Sequence, residues 1–345
     1  MAANQETKER IVLDVAYQPQ VRTIRDTRRL MQDVIIALLP ALCVAVWQFG
    51  AKVLVTVAAS VSSAVFFEWA YRKLLKKSNT IGDLSACLTG LLLSLTLPPT
   101  APWWLPVVGT LFAIVVVKQL YGGIGKNFLN PALAGRAFLL ASYALIMGNF
   151  SVPSGLKSAV DGVTMATPLS YLYGENPLPA YFTPQALFVG TVPGAIGEIS
   201  AAAILLGLVY LLVRKVISWR IPVSFVGTAA LLTLIFGRGG DHVNFMLYNV
   251  LSGGLLFGAV FMATDYATSP VTLGGQLLYG AGCGALTVLI RYFGGFPEGV
   301  TYAILIMNLC TWAIDKGFHR HQFGVTKEDI AAAKAAKKAA KEAAK

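Results

Sequence analysis

From Asp33 to Tyr71 the chain reads DVIIALLPALCVAVWQFGAKVLVTVAASVSSAVFFEWAY, two apolar runs, 33–50 and 52–71, with a single residue between them. Each run, wound as a helix at 1.5 Å per residue, is long enough to cross a hydrocarbon layer of roughly 30 Å. Similar runs recur at 82–98, 103–120, 130–148, 196–213, 221–236, 246–263, 272–291 and 299–316. The composition agrees: 56% of the 345 residues are hydrophobic and 13% are charged, and the mean hydropathy is +0.64. That is too apolar for a soluble domain of this length. The expected fold is an all-α polytopic membrane protein with about ten transmembrane helices.

The basic residues orient these helices. Lys8, Arg10, Arg22, Arg25, Arg28 and Arg29 precede the first apolar run, so no cleavable leader is expected and this segment belongs in the cytoplasm. With ten crossings, Arg72, Lys73, Lys76 and Lys77, then Lys118, Lys126 and Arg136, then Arg214, Lys215 and Arg220 fall in inner loops. The basic tail also lies inside, while the outer side receives only Lys52, Lys157, Arg238 and Arg291. The expected location is the bacterial cytoplasmic membrane with both termini inside. The net charge of +11 is explained by this clustering at span ends, which argues against nucleic acid as a partner.

Short words repeat along the chain. Gly90-Leu91-Leu92 is echoed by Gly254-Leu255-Leu256, and Tyr121-Gly122-Gly123 by Phe293-Gly294-Gly295. The pairing sets spans 3 to 5 against spans 8 to 10 and implies two halves of five helices, the second inverted relative to the first. The expected organisation is a cytoplasmic segment (1–32), a first five-helix half (33–148), an extracytoplasmic loop (149–195), a second half (196–317) and a cytoplasmic Ala/Lys-rich tail (318–345). The loop holds Pro153, Pro168, Pro177, Pro179, Pro184 and Pro193, which suggests an ordered irregular cap.

Cys43, Cys87, Cys283 and Cys310 lie in apolar segments without paired spacing, so they read as small hydrophobes, with a cluster shared with another chain as the lesser alternative. His242, His319 and His321 fall in loops or the tail, which leaves no paired intramembrane haem ligands. No metal site is expected.

Two segments carry candidate chemistry. In the outer loop, Asp161-Gly162-Val163-Thr164-Met165-Ala166-Thr167-Pro168-Leu169 reads, taken alone, as a turn in which Asp161 and Thr164 cap backbone amides. On the inner side, Gly125-Lys126-Asn127-Phe128-Leu129-Asn130-Pro131 reads as a helix start, with Asn130 as cap and Pro131 at the first helical position. Asn127 adds a second amide able to hydrogen-bond a polar ring edge. Acidic residues in or beside spans are costly unless paired or hydrated, which makes Asp83, Glu198, Asp265 and Asp315 candidates for an ion path. Glu198 and Asp265 lead that group because they sit near starts or breaks of helices.

Together, the Asn127 to Phe138 run, the threonine word, Pro193-Gly194-Ala195-Ile196-Gly197-Glu198, Thr264-Asp265 and Met31 to Pro40 resemble the D subunit of the Rnf ion-translocating ferredoxin:NAD oxidoreductase complex. That family is shared with the B subunit of the sodium-translocating NADH:quinone reductase, and the resemblance covers nearly the whole chain. It implies a membrane redox subunit coupling ferredoxin:NAD oxidoreduction to Na⁺ or H⁺ translocation, inactive alone. It also implies partners within the Rnf complex: the A and E membrane subunits, the flavin-bearing G subunit, the NADH-side C subunit and the ferredoxin-side B subunit. The last threonine of the family's Ser/Thr-Gly-Ala-Thr word carries covalent FMN through a phosphoester, which maps onto Thr167. Here Met165 stands where glycine is usual. The resemblance further implies a non-covalent riboflavin nearer the cytoplasm, with Asn127 and Asn130 at the corresponding positions. Two alternatives stay open: the quinone-reductase subunit, and a urea-transporter-like solute channel, whose five-plus-five inverted helices fit the same pattern.

Overall fold

The computed structural model describes residues 26–156, 164–174, 177–238, 241–294 and 298–318. Asp161, Lys157, most of the N-terminal segment and the Ala/Lys-rich tail lie outside these residues. Among the described residues there is no strand, only an isolated bridge between Ser151 and Thr164, so the all-α expectation holds.

The chain begins with α1 (Thr27–Phe49), α2 (Lys52–Leu74) and α3 (Ser85–Leu95), followed by α4 (Trp104–Leu111), which runs on as a π-helix over Phe112–Gln119. Then come α5 (Pro131–Ser142) and the short α6 (Ala144–Met147). The segment between α6 and α9 contributes α7 (Pro168–Tyr173) and α8 (Pro184–Val189). After it come α9 (Ala201–Val213), α10 (Arg220–Ile235), α11 (His242–Leu251), α12 (Leu255–Phe257) with a π-helical continuation over Gly258–Met262, α13 (Leu273–Phe293) and α14 (Val300–Gly317). Every apolar run read from the sequence contains a helix.

Local chemistry sets the boundaries. Asp26 accepts the Thr27 amide at 2.8 Å and starts α1, and Gly50 ends it at a φ of +81°, where a side chain would be strained. Asn130 caps α5 with Pro131 behind it, as its spacing predicts. The π-helical stretches bond five residues back, Leu120 N–H to the Val115 carbonyl at 3.1 Å and Ala263 N–H to that of Gly258 at 2.7 Å.

Among the described residues, α1, α2 and α13 are each apolar and long enough to cross a bilayer, and α11 with Leu255–Met262 is an apolar pair of comparable length bent by 58°, a broken span or a re-entrant loop. Ser85–Leu95, Trp104–Gln119, Ala201–Val213 and Arg220–Ile235 are shorter apolar helices. Large side chains such as Trp47, Trp69, Leu206, Phe293 and Trp312 are exposed, as lipid-facing surfaces require. Lys73 over Trp69, Arg220 over Trp219 and Lys316 over Trp312 combine the aromatic and basic groups that favour a membrane interface.

Helix α1 packs on α9 and α5 on α14; α2 packs on α3 and α4, and α10 on α13. Where α3 ends, its chain pairs with the segment leading into α9: Ile196 N–H donates to the Leu97 carbonyl at 3.0 Å and Gly197 N–H to that of Leu95 at 2.7 Å. Backbone that leaves the helix inside the protein finds its partners in another broken segment. The cap formed by the segment between α6 and α9 also has its own core, with Phe182 and Leu187 among its buried residues.

Three charges differ from the sequence reading. Lys118 and Arg136 lie within helical segments, not in inner loops, and Arg291 lies in α13; all three are buried. Sequence position near a span end does not distinguish a charge in a loop from one turned inward to a carboxylate.

Helices α10 and α13 approach through glycine. A Cβ on Gly284 would lie 2.6 Å from the Phe225 carbonyl oxygen, whereas one on Gly227 of α10 would meet nothing within 4 Å. Gly284→Val should therefore cost about 1–3 kcal/mol through overpacking. Gly227→Ala should be neutral or stabilising by up to about 1 kcal/mol, because it only reduces the freedom of the unfolded chain. Thermal melts in detergent read both.

Candidate functional site

Polar residues gather in two clefts at opposite ends of α9. Leu211, in the last turn of α9, lines the first cleft together with Leu30 and Met31 of α1. Glu198, just before α9, lines the second, which lies beneath the outer cap. Helix α9, with 13 residues, is about 20 Å long. Helix α1 spans the same interval: near its far end, Gln48 Oε1 accepts from Ser154 Oγ of the outer segment at 3.0 Å.

The first cleft is a cavity of about 140 Å³ with mainly apolar walls, into which Asn127, Asn130, Asp265, Lys118, Ser85, Thr89 and Thr264 bring polar groups. Asn130 is engaged in structure. Its Oδ1 accepts from the Ala132 and Leu133 amides at 3.0 and 3.4 Å, and its Nδ2 donates to the Met262 carbonyl, tying α5 to the π-helical stretch after α12. Asn127 makes a single hydrogen bond among the described residues, Nδ2 to the Leu129 carbonyl at 3.1 Å, so its Oδ1 remains available to a ligand. Asp265 accepts from the Ala267 amide at 3.4 Å and from Thr268 Oγ1 at 3.1 Å.

Behind this wall lies a buried network that the sequence shows only in part. Lys118 Nζ donates to Glu68 Oε2 at 2.7 Å and to Ser85 Oγ at 2.6 Å, and Ser85 Oγ donates onward to Asp83. Thr80 donates to the other Glu68 oxygen at 2.7 Å. Asp83 thus reaches the cavity through Ser85. The signal for Glu68 is present in the sequence: a carboxylate inside the apolar run 52–71 needs a partner. Asp315, by contrast, accepts from the Val271 and Thr272 amides and from Thr272 Oγ1, so it caps the start of α13 and borders neither cleft.

The second cleft is lined by Thr167, Pro193, Glu198, Ser252, Gly253 and Glu298 among others. Its two carboxylates are held by Arg136, which does not itself line the cleft and donates through Nη1 to Glu198 and through Nη2 to Glu298. Arg136 comes from α5 and the carboxylates from the segments preceding α9 and α14, so one guanidinium joins three elements. Gly254 lies so close that a Cβ there would sit 2.7 Å from Glu198 Oε1. Thr167 N-caps α7 without a side-chain capping bond; its hydroxyl lies 3.0 Å from Ser170 Oγ. At 5% exposure Thr167 is buried. Thr164 is exposed and pairs with Ser151, so the two threonines of the word do different things. Helix α7 is anchored by Tyr173, which donates to Asn249 Oδ1 at 2.6 Å. Burial, more than its neighbouring charges, pushes the Tyr173 hydroxyl up to about 12, which keeps it a donor.

For the flavins that the resemblance implies, the donor sets fit. The first cleft offers apolar walls and an amide with free capacity, which suits a ring with polar edges, although its present volume is below the roughly 300–1,000 Å³ usual for ligand pockets and its walls would have to part. The second, of only about 10 Å³, would also have to open; it is lined by Thr167, which bears a hydroxyl, and by Gly253, behind which the buried Arg291 guanidinium has Nε and Nη2 without partners.

Arg136 cannot be removed quietly. Arg136→Met leaves two carboxylates facing each other in the interior and should cost about 3–5 kcal/mol. Replacing Glu198 and Glu298 by Gln in the same chain should recover most of that loss, read as thermal unfolding in detergent.

The profile of the NQR2, RnfD, RnfE family matches residues 14–324. The chain is 47% identical over 319 residues to the D subunit of the Na(+)-translocating ferredoxin:NAD(+) oxidoreductase complex of Acetobacterium woodii, covering 91% of this chain and 96% of the relative. It is 41% identical over 324 residues to the D subunit of the proton-translocating ferredoxin:NAD(+) oxidoreductase complex of Clostridium ljungdahlii, covering 92% and 97%. The D subunit of the ion-translocating oxidoreductase complex of Shewanella amazonensis is 38% identical over 332 residues, covering 87% and 95%. A profile match across nearly the whole chain, with relatives this similar over almost their full lengths, places the chain in the NQR2, RnfD, RnfE family.

Proposed function

We propose that this chain is the membrane redox subunit of a multisubunit ferredoxin:NAD⁺ oxidoreductase that translocates Na⁺ or H⁺. The observation that carries the proposal is the pair of polar clefts at opposite ends of α9, one bordered by Thr167 and the other by Asn127 and Asp265. Two flavins held there would provide one-electron carriers on the two sides of a membrane. The relatives' names include both ions, so the reading is for a small monovalent cation. The sequence carries neither a dinucleotide-binding glycine fingerprint nor a ferredoxin-type cysteine cluster. Substrate oxidation and reduction therefore belong to partner subunits: C and B on the nicotinamide and ferredoxin sides, with A, E and G alongside.

In this reading Thr167 Oγ1 is esterified to the phosphate of FMN, and Asn127 hydrogen-bonds the polar edge of riboflavin. Asn130 serves the fold, as helix cap and interhelical link. Glu198 and Asp265, one at each cleft, are the ion-path groups, with Asp83 joined to the inner cleft through Ser85. Because Thr167 is buried, flavin attachment takes place before the cap closes or with the cap displaced.

The topology proposed is ten crossings in two inverted halves, both termini cytoplasmic and residues 149–195 outside. The helix pairings support it. The packing of α2 on α4 corresponds to that of α10 on α13, and α4 on α5 corresponds to α13 on α14. The contacts α1 with α9 and α5 with α14 join counterparts across the halves.

Co-expressed with a flavin transferase, the wild-type chain should show flavin fluorescence in a denaturing gel, and Thr167→Ala should abolish it. Fluorescence that persists in Thr167→Ala removes that site, and a dark wild type turns the reading toward a channel. In sealed vesicles containing the whole complex, Thr167→Ala should also abolish ferredoxin-driven NAD⁺ reduction and its coupled ion uptake.

A further inference from the structure

Arg291 lies in the last turn of α13 and is 2% exposed. Its Nη1 donates to the Asn249 carbonyl at 2.8 Å and to Asn249 Oδ1 at 3.3 Å, while Nε and Nη2 have no hydrogen-bond partner. Among the described residues no carboxylate lies within ion-pair distance of it. A buried guanidinium with two donor groups unpartnered and no carboxylate is only partly compensated for its desolvation. Arg136, in the same region, shows the usual solution of two carboxylates to one cation.

The unpartnered side of Arg291 adjoins the Thr167 cleft. Gly253 lines that cleft and has a φ of +68°. A Cβ on Gly253 would lie 3.5 Å from Arg291 Nη2 and 3.3 Å from Leu169 Cδ2, so the missing side chain leaves space between the guanidinium and the start of α7. Leu169 is two residues beyond Thr167. The same Asn249 that holds Nη1 also receives the Tyr173 hydroxyl, so Thr167 and Arg291 are positioned against one shared support.

We propose that Arg291 is the phosphate-binding residue of the outer cleft, clasping the phosphodiester of a flavin esterified to Thr167 through its Nε and Nη2. These two N–H groups form one edge of the guanidinium, the fork that meets two oxygens of a phosphate at once. Charge requires such a group. With all three groups ionised, Arg136, Glu198 and Glu298 carry a formal net charge of −1, and a phosphodiester adds another beside it. Of the two buried guanidiniums here, Arg136 has only Nε without a partner and is already paired with two carboxylates, whereas Arg291 has Nε and Nη2 both unpartnered. The assignment rests on the proposed flavinylation of Thr167.

At limiting transferase, Arg291→Gln should lower the initial rate of flavin attachment by about tenfold or more, and Arg291→Lys, which keeps the charge but not the fork, should retain part of it. A density map of the flavinylated wild-type complex should place the Arg291 Nε–Nη2 edge within about 3.2 Å of the phosphate oxygens. The map requires no substitution, so it decides the matter even if Arg291→Gln does not fold. A flavin on Thr167 whose phosphate lies beyond about 4 Å from the guanidinium, or wild-type attachment in Arg291→Gln, overturns the role of Arg291 and leaves the function standing. Absence of flavin from Thr167 overturns both.

Discussion

Inside this protein one guanidinium holds two carboxylates from distant parts of the chain, and much of the interior is arranged around that contact. Arg136 and Glu198 are buried, and Glu298, which completes the contact, is largely so. Each of these groups alone would be strongly unfavourable in an apolar interior, and three of them remain there only because they meet. The meeting fixes α5 against the starts of α9 and α14. It also explains a nearby glycine: Gly254 must lack a side chain for Glu198 to occupy its position.

The same constraint acts on the backbone. Helix α3 ends at Leu95 and α9 starts at Ala201, both inside the protein, and the freed amides of Ile196 and Gly197 are answered by the carbonyls of Leu97 and Leu95. Broken helices are tolerated in an apolar surrounding when the breaks satisfy each other, and they leave polar groups at defined depths. Both clefts lie at such places. The outer one lies where α9 begins and α11 breaks from α12; the inner one lies at the capped start of α5 and the end of the π-helical stretch after α12.

The two clefts also differ in electrostatic character. In the inner one, Lys118 and Asp265 line the cavity, but Lys118 is neutralised by Glu68 and Asp83 is linked to it through Ser85, so these three charges form one hydrogen-bonded chain. In the outer one the charges border the open space, and Arg291 stands behind Gly253 with donors unspent. A neutral ring with polar edges suits the first arrangement, and an anionic ester suits the second.

Hydropathy alone determined the all-helical character and the position of each apolar helix, because a chain in lipid has few ways to satisfy its backbone and must place apolar residues in long runs. Asn130 and Pro131 are legible for a similar reason, since a helix cap depends on neighbours in sequence. The threonine word is legible as a motif, but the burial of Thr167 is not. Of the candidate ion-path acids, Glu198 and Asp265 border the clefts, while Asp315 is occupied in capping a helix start. Position along the chain puts Arg136 and Lys118 in inner loops and Arg291 outside, yet each is buried, and nothing local to Glu298 singles it out. Those roles belong to tertiary structure alone. A charge's partner here lies tens to more than a hundred residues away, and only the packing of helices brings the two within hydrogen-bond reach.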